Sequence, residues 1–239
     1  MGSVHNGSNP TCYPLKFPVF HHKLVTDDFN ALKFQAASSL QLQHGLKYQE
    51  AASSSSHLIS SPYNQDGHHL DLHTLEPASQ LLAKALTVLK PIRSDYAIAE
   101  YVESFNWQFV MDVLKDLAAA ENYEWKERSF YVVTFRSVLL PTADPERLTD
   151  LDSRSHEEAT ASGGLLKYWF GTKDEQLRNL ATCVWRSRED ARQGGLGPWH
   201  RRAIAAKREL YQNIEFRTLE LVIKDRVEWW DIVDPKSAT

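Results

Sequence analysis

His200 is the residue whose type and setting best suit acid–base work. An imidazole titrates near neutrality, so modest surroundings turn it into a proton donor or acceptor. It stands third in Pro198-Trp199-His200-Arg201-Arg202-Ala203, where Pro198 opens a helix. The positive end of a helix favours the neutral, basic imidazole. The other reading is a residue that caps or packs that helix. Trp169 and Trp185 suit an aromatic wall on which a flat apolar substrate stacks, or equally a filled core or subunit interface. Arg136, Arg178, Asn179 and Arg186 suit the binding of a carboxylate or phenolate, with surface salt links as the alternative. Cys183 lies among apolar strand residues and reads as an inert buried thiol. The chain carries no P-loop, GxGxxG, HExxH or GxSxG pattern.

The elements that must hold these residues follow from pattern. Residues 130–140 are rich in aromatic and β-branched side chains and are closed by Pro141, which predicts a strand. Arg136 inside it is either an edge residue reaching water or an anion ligand in a pocket. Asp144-Pro145-Glu146 starts a helix, with cap, proline and first-turn acid in order, and Gly163-Gly164 ends it. Its apolar stripe is thin, and His156 reads as a surface residue of that helix. Residues 165–170 and 180–187 form two strands joined by a polar turn, so they pair antiparallel. A helical stretch from 188, interrupted by Gly194-Gly195-Leu196-Gly197, restarts at Pro198. Residues 215–224 alternate as a fourth strand. The order β-α-β-β-α-β over about 130–225 is the ferredoxin-like arrangement, an α+β class. Two such sheets can pack face to face as a homodimer and enclose a pocket in each subunit. Glu228-Trp229-Trp230-Asp231 is expected to dock on a partner surface, because two adjacent exposed tryptophans are costly.

Upstream lies a helical portion. Residues 76–90 form a helix opened by Pro77 and stopped by Pro91. A second follows Asn106, its expected cap, with Phe109, Val110, Val113, Leu114 and Leu117 as its apolar stripe. Residues 1–75 read as a poorly ordered or extended arm, with Ser53-Ser54-Ser55-Ser56 and eight of the ten histidines. Those histidines lack an ordered metal-ligand spacing. Residues 13–20 are apolar enough to dock on the folded body. The chain thus divides into 1–75, 76–125 and 126–239.

Composition bounds the rest. The 239 residues are 42% hydrophobic and 24% charged, ordinary for a globular protein. A net charge of -4 makes no case for nucleic acid or an anionic membrane. Two distant cysteines, Cys12 and Cys183, make no disulfide framework and fit a reducing, cytoplasmic setting. No apolar run approaches the roughly 20 residues of a membrane span, and the first residues do not form a secretory signal.

The β-α-β-β-α-β order, Val184-Trp185-Arg186-Ser187 closing the third strand and Pro198-Trp199-His200-Arg201-Arg202-Ala203 opening the second helix resemble the dimeric α/β-barrel superfamily, which includes the antibiotic-biosynthesis monooxygenases. More narrowly, the run from Tyr168-Trp169-Phe170-Gly171 through Arg178-Asn179-Leu180-Ala181-Thr182-Cys183-Val184-Trp185-Arg186-Ser187 resembles a fungal family of proteins of unknown function, over about 105–233. The resemblance implies a cofactor-independent enzyme acting on a small hydrophobic, polyketide-like aromatic metabolite by oxygenation, decarboxylation or cyclisation. His200 would be its acid or base; Trp169, Trp185, Arg136, Asn179 and Arg186 would bind substrate. The haem-degrading branch uses an Asn on the first strand, and residues 130–140 contain none. A non-catalytic binding or interaction protein reusing the fold is the alternative.

Overall fold

The computed structural model describes residues 57–63 and 65–235. They begin with a short antiparallel pair, β1 (His57–Leu58) and β2 (Leu70–Asp71). Leu58, Ser60, Ser61, His68, Leu70 and Leu75 are all buried, so this part of the expected arm is built into the body. Residues 13–20 lie outside the described residues.

Helix α1 (Pro77–Ala85) has proline in its first turn and buries Leu81, Leu82 and Ala85 at helical spacing. It stops short of the expected residue 90, tightening into a 3-10 turn at Leu86–Val88. Asn106 explains the shortening: its amide accepts from Lys90 N–H at 2.7 Å and donates to Val88 C=O at 3.0 Å. It stands at the N-cap position the sequence predicts for the next helix, but its side chain is spent on the preceding loop and makes no capping bond. After α2 (Tyr101–Ser104), α3 (Trp107–Ala120) buries Val110, Val113, Leu114 and Leu117, as its stripe requires.

Next come β3 (Arg128–Leu139), α4 (Pro145–Ala161), β4 (Leu165–Phe170), β5 (Arg178–Trp185), α5 (Arg188–Gly194), α6 (Pro198–Ala205), α7 (Lys207–Leu210), β6 (Tyr211–Ile223) and β7 (Trp230–Val233). The five strands from β3 onward form one antiparallel sheet in the order β4-β5-β3-β6-β7. With β7 set aside, this is the ferredoxin-like topology. The fourth strand starts at Tyr211, four residues before the expected point. Its partner β3 is long enough to extend the ladder to Leu139.

Both faces of the sheet are covered. On one, α1 and α3 share a core with Phe130, Val132, Leu166, Trp169, Leu180, Val184, Leu219, Leu221 and Ile223. On the other, α4 packs over Val133, Leu165, Tyr168 and Trp185. Helix α6 leans on α4 through Trp199 and Ala203, beside Leu151. The face-to-face pairing of two sheets expected from the sequence needs the first face bare. The chain's own α1 and α3 occupy it, joining residues 76–125 and the sheet in one core. The C-terminal tryptophans correct a second expectation. Trp230 opens β7, packs 6.4 Å from Trp107 and donates Nε1–H to Gln108, while Trp229 stays 50% exposed.

Arg136 fits neither of its expected roles. It sits on the central strand, and its guanidinium donates to the carbonyls of Tyr96, Ala97 and Ala99. It thus pins the loop between α1 and α2 to the sheet. Burial pushes its pKa down, opposed by Glu100 and Glu215. Arg136→Met keeps the bulk but removes the donor that three carbonyls share. We expect a loss of about 2–3 kcal/mol in urea unfolding; unchanged stability would mean the loop holds without it.

Candidate active site

Helix α4 carries Asp152, His156 and Thr160 four residues apart, on the side that meets the sheet. They share that side with Leu151, Ser155 and Ala159. The thin apolar stripe read from the sequence is therefore a complete inward face, half of it polar. His156, expected at the surface, is only 4% exposed.

A bulge in β4 brings the sheet's contribution. Leu165 pairs with Trp185 and Lys167 with Val184, so one residue is looped out of the ladder. The bulge lets Leu165, Tyr168 and Phe170 all turn to α4. Tyr63 and His68 arrive from the segment between β1 and β2, which is tied to the sheet by Tyr168 N–H donating to Ser60 C=O at 3.0 Å.

These residues form a buried polar network. Asp152 accepts from the Tyr63 phenol at 2.5 Å and the Tyr168 phenol at 2.6 Å. Burial raises its pKa, while the two phenol bonds and nearby His200 oppose the rise. Burial, with the adjacent carboxylate, likewise raises both tyrosines. His68 Nδ1 and His156 Nδ1 are 2.9 Å apart, so one donates and the other accepts. Burial lowers His68, and it pushes His156 down to about 3, helped by His68 and His200. Both imidazoles are thus neutral at pH 7. His156 Nε2 is buried without a hydrogen-bond partner among the described residues. Tyr63 lies, ring to ring, 5.0 Å from His68, 5.2 Å from His156 and 5.9 Å from Phe170.

His200 stands at the margin of this network, half-buried. Its Nδ1 is 3.1 Å from Glu158 Oε2. The same carboxylate accepts the backbone N–H groups of Trp199 at 2.7 Å and His200 at 3.1 Å. Glu158 thus caps α6 from a neighbouring helix, where its charge meets the positive helix end. Those bonds, against its burial, hold Glu158 below the usual carboxylate range. Two glycines of the interruption make room. A Cβ on Gly197 would fall 2.0 Å from Glu158 Oε2, and one on Gly194 would fall 2.3 Å from the Trp185 ring.

The other predicted residues scatter. Trp185 faces α4 with the network, but Trp169 faces the opposite way, edge-on to Tyr96 and Phe105. The two tryptophans share no cavity. Arg186 pairs with Asp190, and Arg178 with Asp174. Asn179 Oδ1 accepts from Leu180 N–H. Cys183 is half-buried, and burial raises its thiol. An open depression on the first turns of α4, lined by Pro145, Glu146, Thr149, Asp150 and Ser153, contains none of these residues. The sequence reading missed Tyr63, His68, Asp152, His156 and Tyr168. The available signal was a helix whose polar residues recur every four positions in phase with its leucines.

A family model described as PB2B2.08-like matches residues 59–234, a stretch that includes every member of the network. UPF0643 protein PB2B2.08 of Schizosaccharomyces pombe is 39% identical over 171 residues, covering 69% of this chain and 78% of that protein. Two solved structures are similar at lower identity. Rv0793 from Mycobacterium tuberculosis is 19% identical, covers 38% of this chain and 92% of its own, and gives a TM-score of 0.34. SnoaB, a cofactor-independent oxygenase from Streptomyces nogalater, is 15% identical, with 38% and 89% covered and a TM-score of 0.32. On the extent of the family match and the identity to its fission-yeast relative, the chain belongs to the PB2B2.08-like family.

Proposed function

We propose that this chain is a small-molecule enzyme that moves protons on a hydrophobic metabolite without a metal or nucleotide. One observation carries the reading: Asp152 is held between two phenols inside the body, beside His156 and His200. Polar groups so placed cost desolvation energy that an apolar filling would avoid, and perturbed titratable clusters mark functional sites. In this reading Asp152, with Tyr63 and Tyr168, is the buried acid, and half-buried His200 exchanges protons with substrate at the edge. Phe170 and Trp185 supply apolar wall, which suits a planar aromatic substrate. Trp169, Arg136 and Arg186 leave the proposed site, since their packing and ion pairs are structural. The rings around Tyr63 are in contact, so substrate displaces part of segment 59–71. Of the reactions the sequence resemblance implies, decarboxylation and cyclisation need only the proton movements this cluster offers; oxygenation needs dioxygen as well. No helix among the described residues is long and apolar enough to cross a membrane, and a cytoplasmic setting is part of the proposal.

The second reading is a binding or interaction protein. The filled core around Trp169 supports it. The two readings separate in the cell. Strains carrying Asp152→Asn or His200→Ala should reproduce the metabolite profile of a deletion strain, because losing a general acid or base lowers rate about 10²–10⁴-fold. A wild-type profile from folded, normally abundant Asp152→Asn protein would remove the acid–base reading and leave the binding one.

The network also sets an acid limit on stability. His156 has a folded pKa of about 3, below the roughly 6.5 of an unfolded histidine. The unfolded chain therefore takes up the proton first, and stability is lost as pH falls through that window. At pH 5 the loss relative to pH 7.5 should be about 2 kcal/mol, reduced by Asp152, whose raised pKa acts in the opposite sense. Denaturant unfolding at the two pH values checks this, and His156→Gln should flatten the difference.

A further inference from the structure

The outer edge of β6 carries the inference. Strand β7 pairs only with Glu220–Ile223. Among the described residues, nothing pairs with the outer edge of 211–219. The polarity of that edge follows from the ladder. Leu139 N–H donates to Leu177 C=O on the β5 side, so the even-numbered residues of β3 turn their backbone groups to β6. Thr134 stands opposite Arg217, so Arg217 turns inward and Phe216 outward. Lys224 N–H donating to Trp229 C=O, on the β7 side, gives the same parity. Ile214, Phe216 and Thr218 thus present N–H and C=O groups along an open edge, where proteins ordinarily place a bulge, a proline or a cover. Phe216 is also 60% exposed, and it meets Phe135 edge-on at 5.4 Å on the neighbouring strand.

We propose that two copies of this chain join along this edge, β6 to β6, antiparallel about Phe216. The sequence is self-complementary in that one register. A two-fold axis at Phe216 sets Phe216 against its counterpart as a hydrogen-bonded pair and puts Glu215 opposite the partner's Arg217, twice. Ile214 falls opposite Thr218. Phe135 and Phe216 of each copy then make one aromatic row across four strands. Seven residues, Asn213 to Leu219, fit before β7 of the other copy is met. Arg217, whose Asp234 contact is long at 3.8 Å and largely exposed, exchanges that partner for the carboxylate across the axis. This contact uses an edge, so the helices that fill the sheet face do not obstruct it.

The test is the solution mass of the full chain. Sedimentation at roughly 100 μM, well above a micromolar dissociation constant, should give about twice the 27.3 kDa of one chain. Glu215→Arg alone and Arg217→Glu alone each set like charges opposite one another. Each should shift the equilibrium at least about tenfold toward monomer. Mixing the two variants restores both opposite-charge pairs and should restore the dimer, which a variant that merely misfolds cannot do. A monomeric wild type, with the edge covered by the chain's own terminal residues or left to another protein, overturns the proposal. So does a dimer indifferent to both reversals, or a mixture that stays monomeric.

Discussion

A sheet buried on both faces constrains everything else in this molecule. A half-solvated antiparallel sheet alternates apolar and polar residues, and its helices fall on one side. Here β3, β4 and β5 carry apolar side chains on both sides, so each face needs its own cover. Helices α1 and α3 supply one cover and α4 the other. The N-terminal helices are thereby part of the same folding unit, and Arg136 shows how closely they are joined: a charged side chain on the central strand satisfies three carbonyls of their connecting loop. The fission-yeast relative and the family model extend across both covers, as a single unit would require.

The polar network depends on the same arrangement. A helix packed on a buried sheet face has little solvent on its inner side, so the charged and titratable groups placed there look to the protein for partners. Asp152 finds two phenols, and His68 and His156 find one another. Glu158, one turn further along α4 and closer to the surface, is turned to the start of α6. One helix thus serves two functions through residues a few positions apart: the buried cluster, and the docking of the element that carries His200.

Local pattern made much of this fold legible. The β-branched run of β3, the Asp-Pro-Glu start of α4 and the glycines after it each dictate their element through local sterics and capping. The network was not legible, for a physical reason. Periodicity finds a buried face by its apolar residues, and α4 buries Ser155, His156 and Thr160 and partly buries Asp152, all of which count as polar in any such reading. Tyr63 and His68 lie about 90 residues upstream of their partners, beyond what local pattern can join. The separation of Trp169 from Trp185 was hidden for another reason. Strict alternation would have put Trp169 on the side of Trp185, and a bulge of one residue reverses it.

That bulge makes β4 an element of fixed parity. Its looped-out residue lets Leu165 join Tyr168 and Phe170 in the compartment of Asp152, while the pairing with β5 keeps Trp169 in the compartment of the N-terminal helices. A single-residue deletion at Leu166 would straighten the strand: Leu165 and Lys167 already stand opposite Trp185 and Val184, so the aromatic side chains would keep their sides and the adjustment would fall on the entry from α4.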